Sequence, residues 1–166
     1  MAENDDTGPA TDDPGRGLQL QEFLPYRLSV LTNKLSATLA AMYADRFALT
    51  VPEWRVMAVL GQLPGLSADQ VCAATEMDKV TVSRAVSRLN DSGRLQRGTS
   101  EKDRRRSVLA LSAAGEEVYR QVIPLAREFE QEILAELTDD ERHTLDRLLK
   151  ILDQKAAKLR NRGGSR

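Results

Sequence analysis

Residues 77–89 read MDKVTVSRAVSRL and carry the most informative pattern in the chain. Asp78 is of a residue type that caps helices, and the apolar residues behind it recur at spacings of three and four. The pattern therefore predicts a short amphipathic helix with one buried face. That buried stripe consists of Val82, Ala85, Val86 and Leu89.

The opposite face of this helix has the chemistry of a DNA-reading surface. It combines short hydroxyls with cations, and its members are Lys79, Thr81, Ser83, Arg84, Ser87 and Arg88. Hydroxyls can bond to phosphates or base edges, and an arginine can pair with both O6 and N7 of guanine. We expect Arg84 to read a base and the hydroxyls mainly to position the helix. An exposed polar face without a ligand is the alternative.

The segments on either side complete the pattern of a winged helix-turn-helix. A capping box at 67–70 predicts a helix over 68–75, and a turn of three residues separates it from the next helix. Gly93 suits the left-handed position that ends that helix. Residues 94–99 and 107–111 then read as two short strands of a β-hairpin.

The tip of the hairpin is a second candidate contact with DNA. Its charged side chains are Lys102, Asp103, Arg104, Arg105 and Arg106. A basic β-tip can enter a minor groove, where a narrow width concentrates negative potential. Asp103 fits such a tip if it pairs with a neighbouring arginine and holds the shape of the loop. A role in solubility alone is the alternative.

Helices are also predicted before and after this unit. Apolar spacing indicates a long helix from Leu18 to about Arg46, followed by a shorter one over 51–61 that a capping box at Thr50 begins. Such a long helix cannot bury its apolar stripe on so small a core. We expect it to pack against a second copy of the chain in a C2 dimer.

Two more long helices are predicted in the C-terminal third. The first begins near Ser112 and keeps its apolar spacing as far as Leu137. Pro124 falls inside it, so we expect a kink near residues 120–124, with two helices that meet there as the alternative. The second runs from a cap at Thr138 to about Leu159. The expected fold is therefore mainly α, with a small β-hairpin wing.

These patterns divide the chain into five segments. They are an acidic disordered tail (1–17), an N-terminal dimerisation helix (18–48), a winged helix-turn-helix domain (49–112), C-terminal dimerisation helices (113–160) and a flexible tail (161–166). The formal net charge of −1 is the sum of segments with opposite charge. Residues 1–17 hold five acids and one base, whereas residues 79–106 hold nine bases and three acids. The basic block is the part suited to a polyanion.

Composition excludes several classes of protein. One cysteine and one histidine rule out a disulfide framework and multi-histidine metal sites, so neither a metal nor a cofactor is expected. No apolar run is long enough to cross a bilayer, and the acidic N-terminus is not a signal peptide, so we expect a cytoplasmic protein. The chain also lacks a nucleophile–base pair and a phosphate loop, which argues against an enzyme.

The sequence resembles the MarR family of transcriptional regulators. The resemblance covers about residues 20–158, and its strongest parts are MDKVTVSRAVSRL at 77–89 and DRRRS at 103–107. It implies a homodimer whose recognition helices enter successive major grooves of a pseudo-palindromic operator. Carried over, Ser83 and Arg84 match recognition-helix positions. The same resemblance matches Asp103 and Arg105 to the wing pair, and leaves open which of Arg104, Arg105 and Arg106 enters the groove.

The family resemblance also implies a switch. Most members respond to small molecules, often phenolic or aromatic acids, that bind between the dimer helices and the winged domain. Segments 23–33 and 52–61 are similar to a branch that responds to hydroxycinnamoyl-CoA thioesters. The candidate pocket residues are Arg27 and Asn33 as polar groups and Trp54 and Met57 as apolar wall, with Arg27 or Arg55 as the cationic partner of an anionic thioester. An exposed salt bridge is the alternative role for Arg27. Core packing is the alternative role for Trp54.

The expected function is a repressor that a small aromatic acid or an aryl-CoA thioester releases from double-stranded DNA. Two alternatives remain at this point. A minority of the family senses oxidants through a reactive thiol, and Cys72 is the single thiol, although no cation lies near it in sequence and a buried apolar role suits it better. A helical adaptor that binds no DNA would leave the basic block without a purpose.

Overall fold

The computed structural model describes residues 17–99 and 107–163, which form six α-helices and one two-stranded hairpin. In chain order the elements are α1 (Leu24–Phe47), α2 (Val51–Gln62), α3 (Ala68–Thr75), α4 (Lys79–Asp91), β1 (Leu95–Thr99), β2 (Ser107–Leu111), α5 (Ala113–Ile133) and α6 (Asp139–Gly163). This order confirms the predicted winged helix-turn-helix with long helices at both ends.

Local side-chain caps begin most of the helices, as the sequence predicts. At α3, Gln70 Oε1 accepts the Ser67 backbone N–H at 2.9 Å, and Ser67 Oγ accepts the Gln70 N–H at 3.3 Å. At α6, the Glu141 carboxylate accepts the Thr138 backbone N–H at 2.8 Å, and this hydrogen bond lowers the pKa of Glu141. Each cap satisfies backbone donors that a helix start leaves unpaired.

The predicted start of α1 and the predicted end of α5 are wrong. α1 begins at Leu24 rather than Leu18, because residues 20–22 form a turn in which the Glu22 and Phe23 N–H groups both donate to the Gln19 carbonyl at 3.0 Å. α5 ends at Ile133 rather than Leu137. The continuing apolar spacing does not reveal these ends, because a turn can carry the same residue types as a helix.

Arg142 explains why the chain leaves α5 early. Its guanidinium donates to the carbonyls of Leu134 at 2.8 Å and Leu137 at 3.1 Å, which satisfies acceptors in the turn behind the helix. α5 runs without interruption through Pro124, so the two-helix alternative is wrong. α6 continues to Gly163, four residues beyond the predicted end at Leu159.

The hairpin is joined to the helical body by a short third segment. β1 and β2 pair antiparallel from Leu95 opposite Leu111 to Thr99 opposite Ser107. The Leu109 N–H donates to the Leu66 carbonyl at 2.8 Å, in the connection between α2 and α3. This attachment fixes the base of the wing against the helices, while the tip at 100–106 lies outside the described residues.

The core lies between α2, α3, α4, the hairpin, the end of α1 and the middle of α5. Its buried apolar members are Tyr43, Phe47, Leu49, Val56, Met57, Leu60, Val71, Val82, Ala85, Val86, Leu89, Leu95, Leu109, Leu111 and Val122. All four residues predicted for the inner stripe of α4 belong to it, so that prediction is confirmed.

The start of α5 packs directly against the backbone at the start of the wing. A Cβ at Gly115 would overlap the carbonyl of Arg94, so only glycine fits there. The Arg94 carbonyl accepts the Ser112 N–H at 3.0 Å, and the Arg94 guanidinium donates to the Phe47 carbonyl at 2.6 Å. Arg94 therefore joins α1, the wing and α5.

The terminal helices expose a large apolar surface. Among the described residues, the exposed leucines, isoleucine and aromatics of α1 and α6 are Leu24, Tyr26, Leu28, Leu31, Leu145, Leu148, Leu149, Ile151, Leu152 and Leu159. No helix in the described part of the chain is both long enough and apolar enough to cross a membrane.

One ion pair joins the far end of α6 to the helix-turn-helix. Arg160 Nη1 lies 2.7 Å from Glu76 Oε2, and this contact raises the pKa of Arg160 above its ordinary value. Glu76 ends α3 in the left-handed conformation, with φ of 52°. The pair therefore connects α6 to the turn that leads into α4.

Candidate nucleic-acid interface

Asp78 fixes the start of α4 as the sequence predicts. Its carboxylate accepts the Thr81 backbone N–H at 2.8 Å and the Thr81 hydroxyl at 2.6 Å. These hydrogen bonds, first of all the one from the hydroxyl, lower the pKa of Asp78. Because the Thr81 hydroxyl donates its hydrogen bond to Asp78, it stabilises the start of the helix and can only accept a further hydrogen bond.

The other predicted members of the polar face lie on the surface of α4. Lys79, Ser83, Arg84, Ser87 and Arg88 are all exposed. They lie opposite the buried stripe, so the helix offers a largely polar face to a partner.

An acid from α2 holds Arg88 at one edge of this face. Glu53 is only 5% exposed, and its Oε1 lies 3.7 Å from Arg88 Nη1. Its other oxygen accepts the Thr50 backbone N–H at 2.8 Å, which completes the cap of α2. One buried carboxylate therefore both begins α2 and positions a cation of α4.

A second acid holds Lys79 at the opposite edge. Lys79 Nζ lies 2.9 Å from Asp69 Oδ1 on α3. The hydrogen bond with Asp69 raises the pKa of Lys79, with a further electrostatic contribution from the same carboxylate. Both of these cations thus have an acidic partner within the protein.

The middle of the face differs from its edges. No hydrogen bond or ion pair links Arg84 to another side chain within residues 17–99 and 107–163. Val80 is 59% exposed, one helical turn before Arg84. Sequence reasoning missed Val80, Glu53 and Asp69. A helical-wheel projection would have placed Val80 outward, whereas the two acids come from other helices.

A cleft of about 220 Å³ separates the start of α2 from α4. It is lined by Thr50, Pro52, Glu53, Thr81, Arg84, Ala85 and Arg88. The guanidiniums of Arg84 and Arg88 can donate to phosphate oxygens here, whereas the Thr81 hydroxyl already donates to Asp78 and the Glu53 carboxylate carries the same charge as a phosphate.

The described part of the wing is its base, β1 and β2. The predicted tip residues Lys102, Asp103, Arg104, Arg105 and Arg106 lie outside the described residues. Arg97 is exposed on β1, which leads toward that tip. The base of the wing therefore carries an exposed cation, Arg97, on the strand that leads to the tip.

A separate apolar groove of about 840 Å³ lies between α1, α2, α5 and α6. Of the predicted pocket residues, Trp54 lines it, whereas Arg27, Asn33, Arg55 and Met57 do not. Arg55 donates to Ser36 Oγ at 3.1 Å, and Met57 is fully buried in the core. Arg127 and Arg142 are the cations on the groove wall, and sequence reasoning missed both.

Trp54 belongs at once to the groove and to an aromatic cluster. Its ring centroid lies 5.8 Å from that of Tyr43 and 6.0 Å from that of Tyr119, both in tilted geometry. Burial raises the pKa of Tyr43 to about 12. Gly61 lets the Tyr119 ring approach α2, because a Cβ at that position would meet the ring. The cluster connects the groove to the core below α4.

Cys72 is half-buried on α3 and packs against the core. Its place agrees with the apolar role that its neighbours indicate. Lys79, which is not close to it in sequence, is near enough for the two side chains to interact electrostatically.

Comparison with known proteins gives consistent matches. Residues 49–106 match the model of the MarR family. The HTH-type transcriptional regulator BilQ of Clostridium symbiosum is 31% identical over 93 residues, which are 56% of this chain and 65% of that protein. The chain therefore spans slightly less than two thirds of this relative's length.

Solved structures match over more of the chain. A MarR/EmrR family regulator from Acinetobacter sp. ADP1 is 26% identical, with a TM-score of 0.78 over 85% of this chain and 99% of that one. The PcaV transcriptional regulator from Streptomyces coelicolor, in complex with its natural ligand, is also 26% identical, with a TM-score of 0.70 over 85% and 99%. These matches include the long terminal helices as well as the winged domain.

Proposed function

This chain belongs to the MarR family of transcriptional regulators, a family of regulators and not of enzymes, and from that premise we propose that it is a homodimer that binds specific double-stranded DNA. The exposed polar face of α4 carries the proposal, because it presents Arg84, Ser83 and Ser87 outward on a helix that Asp78 and the core hold in place. DNA as the partner also implies a cytoplasmic site of action.

The DNA-binding residues of the proposal lie on α4 and on the wing. Arg84 reads a base, whereas the residues at the edges of α4 contact or approach phosphates. The wing residues Lys102, Asp103, Arg104, Arg105 and Arg106 complete the set by entering a flanking minor groove, as the family resemblance implies.

The apolar faces of α1 and α6 support the dimer. Leucines that stay exposed along two long helices form a surface that a single chain does not cover. A second copy would bury the part of this surface outside the groove through an isologous interface, and a two-fold dimer matches a pseudo-palindromic operator. That part consists of Leu24, Tyr26, Leu148, Ile151, Leu152 and Leu159.

The effector of the proposal binds in the groove beside Trp54. Its wall is mainly apolar and aromatic, with Arg127 and Arg142 as cations and Glu130 and Asp146 as acids. The apolar wall suits an aromatic ring, and the two cations suit its carboxylate or the anionic carrier of a thioester. The similar regulator PcaV binds a natural ligand. We infer that an aromatic acid or a hydroxycinnamoyl-CoA thioester releases the dimer from its operator, so that the protein represses transcription.

Fluorescence anisotropy with the intergenic DNA upstream of the chain's own gene tests the proposal. If each protomer neutralises three to five phosphates, log Kd should vary with log salt with a slope of magnitude roughly 5–9 per dimer. Replacing Arg84 and Arg105 together by alanine should abolish specific binding and leave the dimer intact in sedimentation. A slope near zero would refute DNA binding and favour an adaptor.

A further inference from the structure

The outward midline of α4 carries an apolar side chain that folding does not explain. Val80 is 59% exposed although it stands in the first turn of a helix whose apolar residues are otherwise buried. With about 3.6 residues per turn, Val80 projects nearly opposite the buried stripe. A β-branched residue also has a lower helix propensity than alanine, so this position gains nothing for the helix itself.

Val80 lies in one row with the residues that are best placed to meet bases. Arg84 follows it by four positions and Ser87 by seven, so the three share one line along the helix surface. The cations on the two sides of this row are held by acids, Lys79 by Asp69 at 2.9 Å and Arg88 by Glu53 at 3.7 Å. The middle row is therefore the part of α4 that is free to enter a groove.

The major groove offers one apolar group to such a side chain. Thymine presents its C5-methyl group there beside the O4 acceptor, and apolar side chains discriminate thymine by contact with that methyl. Residues near the N-terminus of a recognition helix are the ones that approach base edges. Val80 is the second residue of α4, and its branched methyls project from this end.

We propose that Val80 selects a thymine in each operator half-site by packing its methyls against the thymine C5-methyl group. This inference rests on the proposed function, since it needs α4 in a major groove. Val80 and Arg84 are one helical turn apart, about 6 Å along the axis, whereas base pairs rise by about 3.4 Å. The thymine therefore lies roughly one or two base pairs from the base that Arg84 reads.

The experiment uses the full chain and a base analogue that lacks only the methyl. Duplexes are first selected from a random, unmethylated library, so that thymine is the source of any C5-methyl group. Each thymine of the selected site is then replaced by deoxyuridine in both half-sites, and Kd is measured by anisotropy. The wild-type chain should lose roughly three- to tenfold in affinity at one symmetric pair of thymines.

Variants of Val80 separate this contact from other effects. Val80→Ala should bind thymine and deoxyuridine equally at that pair, and Val80→Thr, which keeps the branch and one methyl, should discriminate between them partially. Leu63→Ala removes a side chain of similar exposure (57%) outside α4 and should discriminate like the wild type. Circular dichroism verifies that each variant is folded.

Two results overturn the inference while leaving the proposed function intact. One is a wild-type chain that tolerates deoxyuridine at every position of a selected site, and the other is a Val80→Ala chain with the deoxyuridine profile of the wild type. If no duplex can be selected and added salt does not weaken the binding of DNA, both the proposed function and this inference are overturned.

Discussion

The buried carboxylate of Glu53 lies 3.7 Å from the guanidinium of Arg88 and accepts the Thr50 backbone N–H at 2.8 Å. It thus links the first turn of α2 to the polar face of α4. Side chains that are held before binding lose less entropy when they bind. The pair should therefore place Arg88 against one defined phosphate, which fixes the register of α4 on specific DNA more than it adds to the general attraction for phosphates.

Replacing Glu53 by glutamine separates the two roles of the carboxylate. Glutamine can still cap α2, so Glu53→Gln should unfold close to the wild type, whereas Glu53→Ala should lose about 1–2 kcal/mol of unfolding free energy. In DNA binding, Glu53→Gln should lower the ratio of specific to non-specific affinity roughly threefold to tenfold. Competition anisotropy with unrelated duplex measures this ratio.

Arg88→Ala provides the control for that pair. In the Arg88→Ala background the change of Glu53 to glutamine should have no further effect on specificity, because the partner is already absent. Equal effects of Glu53→Gln in both backgrounds would show that Glu53 acts on DNA without Arg88.

Glycine at position 115 should be essential for the attachment of α5 to the wing. A Cβ there overlaps the Arg94 carbonyl, so Gly115→Ala should shift backbone and cost about 2–3 kcal/mol of unfolding free energy. Gly98→Ala is the matched control, because its Cβ would meet Val108 at an ordinary 3.7 Å. Urea unfolding at one fixed protein concentration measures both, and similar midpoints for the two variants would contradict the overlap.

Trp54 should report occupancy of the groove directly. It is the single tryptophan of the chain and lines the groove, so a bound aromatic acid or CoA thioester should change its emission. Arg127→Ala should weaken an anionic ligand by about tenfold, because the charged hydrogen bond is lost. Arg120→Ala, which changes a cation of α5 outside the groove lining, should leave the titration unchanged. Emission that no such ligand changes would exclude this ligand class from the groove.

Tyr43 should make the fold sensitive to alkali. Burial raises its pKa from 10.0 to about 12 in the folded chain, so the neutral ring favours the folded state. Its contribution to stability should be complete below pH 10 and should be lost as the pH rises toward 12. Tyr43→Phe cannot ionise, and its urea midpoint should fall less than that of the wild type over this range. If the urea midpoints of the two proteins fall equally as the pH rises, the raised pKa of Tyr43 is contradicted.

Local signals predicted most of the fold. The caps at Ser67, Asp78 and Thr138 and the glycine at 93 act within a few residues, so the sequence alone indicates where α3, α4 and α6 begin and where α4 ends. The start of α1 and the end of α5 were less predictable, since hydrogen bonds outside the apolar pattern decide them.

Of the candidate DNA-binding site, the sequence predicts the residues on α4 itself and not their partners on other helices. The polar face of α4 follows from helical period, whereas its acidic partners come from α2 and α3. The groove shows the same limit. The charge of Arg55 suits an anionic thioester, yet Arg55 follows Trp54 on α2, and neighbouring residues on a helix point in different directions. Arg127 and Arg142 reach the groove from α5 and α6, which only the tertiary arrangement brings beside α2.

The ion pair between Arg160 and Glu76 also bears on how the two α4 helices of a dimer would be spaced. A two-fold dimer formed through α6 would contain two copies of this contact, each joining the shared helical region to the turn in front of one α4. The distance between the two α4 helices would then depend on the length and direction of α6. Inserting or deleting one residue between Leu152 and Arg160 would rotate that attachment by about 100°.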